Sequence, residues 1–288
     1  MAAEWVVEEG SYGPRMVMKG AWSTEALAAI RLRKVKELEL NHAKGWKGAD
    51  LSFLTELSDF LESFTIIDFT IDDIGPVNSL TSLRSLDVNT YCKTEIRFSQ
   101  FPLLEECSLE WRPKASTLFD HHKIRKLFIN KFPRKDLTAF SRMTTLESLS
   151  LASPRIETLQ GVQTLKGLIF FLGLYVARHL MTLEGVEALT NLLHLEVNDT
   201  AKVRNILPVA ALHQLRQLHL CNDGEIETVE PLGNLKHLET FLFYESTNVV
   251  DGKLDVLKKL PKLRSVAFME RPHYSHRRSD FPVLRAFG

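Results

Sequence analysis

The chain has 288 residues, with 36 basic against 36 acidic side chains and no formal net charge at neutral pH. Apolar residues at 44% and charged residues at 25% exclude a disordered chain, and zero net charge leaves no global field to draw it towards nucleic acid or an anionic membrane. The odd count and wide spacing of Cys92, Cys107 and Cys221, with no Cys-x-x-Cys pair, exclude a disulfide framework.

The chain opens MAAEWVVEEGSYG, with early acids and no basic stretch leading into a long apolar one, so no secretory signal is expected and a cytoplasmic location is. Trp5-Val6-Val7 and Met16-Val17-Met18 flank Gly10-Ser11-Tyr12-Gly13-Pro14, which predicts a hairpin. Ser23 is placed to N-cap a short helix from Thr24 to about Arg33, with Leu27, Ile30 and Ala26 on its buried side.

From Val35 a phrase of the form Leu-x-x-Leu-x-Leu recurs. Its copies are VKELEL at Val35, FTIIDF at Phe64, LRSLDV at Leu83, LEECSL at Leu104, IRKLFI at Ile124 and LESLSL at Leu146. They continue with LKGLIF at Leu165, LLHLEV at Leu192, LRQLHL at Leu215, LETFLF at Leu238 and LRSVAF at Leu263. Start-to-start intervals are 29, 19, 21, 20, 22, 19, 27, 23, 23 and 25. Each phrase predicts a short strand whose apolar positions point inwards. A second apolar pattern returns along the other side, clearest in Ile156-x-x-Leu159-x-Gly161-Val162-x-x-Leu165 and Leu183-x-Gly185-Val186-x-x-Leu189. It recurs in Ile226-x-x-Val229-x-Pro231-Leu232-x-x-Leu235, and its spacing suits short helices or 3₁₀ turns. The most apolar run, Leu168 to Val176, is nine residues and too short to span a bilayer.

A unit of 20–29 residues built on this phrase is identified as a leucine-rich repeat. The expected fold is therefore an α/β leucine-rich repeat solenoid of about eleven repeats, right-handed, with a curved parallel sheet on its concave side. Short helices, 3₁₀ turns or loops would line the convex side. Residues 1–34 would cap its first turn, residues 35–269 would carry the repeats, and residues 270–288 would form a C-terminal cap or tail, with Phe281, Val283, Leu284 and Phe287 covering the last turn. The regular repeats resemble the 22-residue class of internalins and of a regulatory subunit of type-1 protein phosphatase. The chain departs from that class in two ways. The asparagine expected near the ninth repeat position appears only as Asp72 or is absent, and the intervals of 29 and 27 imply longer outer loops at 41–63 and 171–191.

The third, fifth and seventh positions of each phrase face away from the core and would line the concave surface, the binding face of repeat proteins. On this reading seven acids lie there (Glu37, Glu39, Asp68, Asp87, Glu106, Glu110 and Glu196) against one base, Lys126. Six of the seven fall in the first four repeats. That predicts an acidic half-groove for a protein with a basic surface patch, with Trp111, Phe128, Ile169, Phe171 and Tyr244 as apolar contact area. Nucleic acid and membrane are not expected partners, because an acidic groove repels phosphate.

No phosphate-binding glycine loop, dinucleotide fingerprint or nucleophile elbow is present. His273 and His276 lack a nearby third ligand, and His194, Glu196 and His219, which would meet on adjacent strands, read as a polar ladder within the binding groove. The expectation is a non-enzymatic, cofactor-free protein-binding module, either an inhibitor such as a toxin-neutralising immunity protein or a regulatory or scaffolding subunit of an enzyme such as a phosphatase.

Overall fold

The structure, a computed structural model, describes residues 4–282, and the chain divides into two compact units, Met1–Leu127 and Phe128–Gly288. In the first unit, β1 (Trp5–Glu9) pairs antiparallel with β2 (Pro14–Met18). Then comes α1 (Thr24–Arg33), where the Ser23 hydroxyl accepts from the Ala26 amide at 3.2 Å and ends one orphan donor of the first turn. Lys34 closes that helix in the left-handed region. Next come β3 (Glu37–Asn41), β4 (Ser63–Ile67), β5 (Ser85–Asn89) and β6 (Glu106–Glu110). Strands β2 to β6 lie side by side in sequence order and all pair in parallel. The boundary between the units falls within β7 (Lys126–Asn130).

The second unit carries β8 (Ser148–Ala152), β9 (Phe171–Tyr175), β10 (His194–Asn198), β11 (Gln217–Cys221) and a short β12 (Glu225–Ile226). These are followed by β13 (Thr240–Phe243), β14 (Asn248–Val249), α2 (Asp255–Lys258) and β15 (Ser265–Phe268). Here too the main strands pair in parallel and in chain order, β8-β9-β10-β11-β13-β15, while β12 and β14 pair separately. Ten of the eleven repeat phrases overlap a strand, and the strand of the seventh repeat, β9, begins just after LKGLIF ends. The connections run through 3₁₀ turns such as Val162–Thr164, Val186–Ala188 and Glu230–Asn234. Gly161 opens the first of these at φ 99°, and a Cβ there would meet the Thr138 amide nitrogen at 2.5 Å, so the turn needs glycine on both counts.

The core follows the phrase. Leu192, Leu195 and Val197 are fully buried, as are Leu149 and Leu151, and Val186 and Val209 close it from the returning side. Turns after the strands of this unit share one conformation. Lys131, Ser153, Val176, Asp199, Asn222 and Glu245 each follow the seventh repeat position and each has φ between 47° and 61°. The amides of Lys131, Ser153, Asp199 and Asn222 donate to the carbonyls of Ala152, Tyr175, Cys221 and Tyr244, adding one rung to the ladder. One residue further, Asp223 Oδ1 accepts from the Thr200 amide and hydroxyl at 2.8 Å, and the Asp223 amide donates to Thr247 Oγ1 at 3.0 Å. Threonine and aspartate thus take the buried polar place for which asparagine was expected.

At the far end Phe281 is buried edge-on against Phe268, and the Val266 amide donates to the Pro282 carbonyl. Val283, Leu284 and Phe287 lie outside the described residues. All three cysteines are free and buried. Among the described residues no helix is long and apolar enough to cross a membrane.

Candidate functional site

Strand register decides which side chains reach the open face of the sheet, and it corrects two repeats. In the second, Glu37 pairs with Ser63, Leu38 with Phe64 and Leu40 with Ile66. The phrase therefore starts at Leu61, and Ser63, Thr65 and Ile67 take the outward positions. Ile66 is core. Asp68 is not on the strand face: it is 2% exposed in the turn after β4, where its Oδ1 accepts from the Thr70 amide at 2.9 Å and hydroxyl at 2.6 Å.

In the seventh repeat Ser148 pairs with Phe171, Ser150 with Gly173 and Ala152 with Tyr175. This phrase starts at Ile169, so Phe171 takes the third outward position and Leu172 is core. The step from Glu37 to Ser63 is 26 residues and that from Phe171 to His194 is 23, so the long outer loop expected at 171–191 does not exist. Residues 171–175 are strand.

On the first unit's face, the expected acids already have partners. Glu37 is buried, and its Oε1 accepts from the amide of Tyr12 in the hairpin turn at 2.5 Å. Glu39 is buried too. Burial alone would raise its carboxyl, but Lys44, bridging both oxygens at 2.7 and 3.0 Å, and Asn41 hold it below the usual range. Glu106 meets Lys126 Nζ at 2.6 Å. Asp87 accepts from Asn89 at 2.6 Å, and burial pushes its carboxyl up. Glu110 is buried, and Trp111 stacks on Phe119 at 5.5 Å. These acids are built into the fold more than they project a free negative field.

The second unit's face is aromatic. Phe128 lies half-buried on β7. On β9, Phe171 and Tyr175 lean over Gly173: a Cβ at Gly173 would meet the Phe171 ring at 2.5 Å and the Tyr175 ring at 2.9 Å. Glycine is what lets the two rings close together. On β10 the His194 ring sits edge-on to Phe171, 4.7 Å between centroids, and edge-on to His219 of β11 at the same distance. Beyond them β13 offers Leu242, and Tyr244, the next outward residue, is 38% exposed.

Glu196 is the one carboxylate of this strip. The Asn198 amide donates to its Oε1 at 2.8 Å and the Tyr175 hydroxyl to its Oε2 at 3.0 Å. His194 Nε2 and His219 Nδ1 stand 4.0 and 3.8 Å from that same Oε2, too far for hydrogen bonds. Burial lowers both histidines, His194 to about 4, so both are neutral at pH 7. Burial and the nearby Glu196 raise the Tyr175 phenol, and burial pushes the Cys221 thiol up to about 11. No activated nucleophile results.

Register therefore brings Phe171, His194, Glu196, His219 and Tyr244 onto one face of the second unit and places Asp68 elsewhere. Sequence reading missed Tyr175 and Gly173. The signal was present: ten residues separate Gly161 from Phe171, against nine from Gly185 to His194, which marks a one-residue insertion before Leu172.

No family model matches the chain, and no curated protein does. Solved structures do. An internalin of Listeria monocytogenes is similar with a TM-score of 0.61 at 19% identity, over 91% of this chain and 82% of that one. The Arabidopsis receptor kinase HAESA, solved with the peptide hormone IDA and the co-receptor SERK1, aligns at 0.54 and 17%, over 77% of this chain and 44% of its own. A leucine-rich repeat protein of Leptospira interrogans aligns at 0.51 and 16%, over 88% and 78%. Identities this low carry the architecture alone, and with the parallel ladders described above they identify the chain as a leucine-rich repeat solenoid.

Proposed function

We propose that this protein is a non-enzymatic recognition module that binds a protein or peptide on the open sheet face of its second unit. The observation that carries the reading is the aromatic strip: Phe171, Tyr175, His194, His219, Leu242 and Tyr244 occupy outward positions of neighbouring repeats, where a solvated sheet face would be polar. Rings held by their neighbours lose little freedom on binding, which suits them to anchor a partner. The solved complex of HAESA with a peptide hormone is consistent with this use of the architecture. On the first unit, Asp87 and Glu106 keep part of their surface and suit basic groups of a partner. Three buried free thiols suit a reducing, cytoplasmic setting.

The test is affinity capture with the full chain, wild type beside a Phe171→Ala/Tyr244→Ala variant. A stoichiometric protein retained by the wild type and lost from the variant is the expected result; identical captures would remove the strip from the argument. Assaying the captured partner with and without this protein then separates an immunity-type inhibitor, which abolishes its activity, from a regulatory or scaffolding subunit, which redirects it.

A further inference from the structure

We propose that His194, Glu196 and His219 form a binding site for one zinc ion on the open face of the second unit, with a fourth coordination position facing solvent. Parallel register builds the site. Glu196 of β10 pairs directly with His219 of β11, and His194 lies two residues before Glu196 on the same face. One donor atom from each of the three lies within 4.8 Å of the others, the one such group among the described residues.

The spacing fits an ion better than a polar ladder. The nitrogen-to-oxygen gaps of 4.0 and 3.8 Å are too long for hydrogen bonds. A tetrahedral zinc with bonds of about 2.0–2.1 Å sets its ligand atoms about 3.4 Å apart, so side-chain shifts of under about 1 Å bring these gaps to a tetrahedral edge. His194 Nε2 is buried and has no hydrogen-bond partner. A buried polar atom aimed at a carboxylate it does not reach calls for something between them.

Outer contacts fix the carboxylate as metal sites require: Asn198 holds Oε1 and the Tyr175 hydroxyl steadies Oε2. None of the outward neighbours Phe171, Gly173, Tyr175, Asn198, Gln217 and Cys221 carries a positive charge to compete for the site. Two imidazoles and a carboxylate are a zinc-type donor set, and three protein ligands leave one position for water or a partner's side chain.

The experiment is a calorimetric titration of chelator-treated full-length protein with zinc chloride. One equivalent should bind per chain, with a dissociation constant of about a micromolar or tighter, and should raise the unfolding midpoint. His194→Gln and His219→Gln should each weaken binding by more than the roughly tenfold expected of Tyr175→Phe, which removes only an outer hydrogen bond. Should a histidine variant fold poorly, the isosteric Glu196→Gln gives the same readout. Absence of binding up to about 100 times a micromolar constant would overturn the proposal. So would stoichiometric binding undiminished in all three ligand variants, which would place the metal elsewhere on the chain.

Discussion

Single residues in this fold carry strain and charge that its regular look conceals. Val176 is a β-branched residue at φ 54°, a conformation its five counterparts fill with lysine, serine, aspartate, asparagine and glutamate. The left-handed region costs a side-chain-bearing residue about 1–2 kcal/mol, and asparagine tolerates it best. Val176→Asn is therefore expected to raise stability by about 1 kcal/mol, read as a higher midpoint at unchanged slope in chemical unfolding. Asp223 is a buried carboxyl whose Oδ2 has no hydrogen-bond partner, and burial raises it from 3.8 to about 7 against the pull of Thr200. Its folded value thus exceeds its unfolded one, so between those values the folded state holds the extra proton. Stability from this group is complete below about pH 4, falls as pH rises to about 7, and is flat above. The span is on the order of a few kcal/mol at 1.36 per unit. Subtracting the unfolding free energies of Asp223→Asn from those of the wild type across pH 4–8 should expose that slope; a flat difference would show that Asp223 ionises normally.

At the scale of the strand, register separates structural residues from binding ones. Asp68, expected on the binding face, ties the turn after β4 through Thr70. Asp68→Ala should therefore cost about 1 kcal/mol of stability, as loss of a side-chain cap does, instead of acting as a neutral surface change. Leu172, now core, should cost about 2–5 kcal/mol as Leu172→Ala. The misread repeats have one physical cause. FTIIDF and LKGLIF satisfy the apolar phrase as well as the true segments beginning at Leu61 and Ile169 do, because runs of consecutive apolar residues fit several frames. Only pairing with the neighbouring strand selects among them, since a slip turns every side chain to another face. Where apolar and polar residues alternate cleanly, as in HLEVN and QLHLC, pattern and structure agree.

For the whole molecule, the division of labour runs between its two units. Glu37 serves the hairpin of the first unit, so Glu37→Gln should lower thermal stability while leaving partner affinity unchanged, whereas Phe171→Ala should weaken the partner by roughly tenfold or more at unchanged stability. Comparing melting midpoints with binding constants for these two variants checks both. Taken alone, the sequence determined the repeat, the parallel pairing of its short strands and the short helical or 3₁₀ returns, because a period of twenty-odd residues leaves stacking as the way to bury each repeat's apolar side. It also placed His194, Glu196 and His219 in one neighbourhood, since their repeats are regular enough to count across. What tertiary structure alone decided was the use of the acids and the shape of the aromatic strip. Whether a carboxylate faces solvent or a lysine depends on chain far away in sequence, as Tyr12 on Glu37 and Lys126 on Glu106 show. And the inserted residue that brings Tyr175 over Glu196 has meaning only once the neighbouring strand fixes the register.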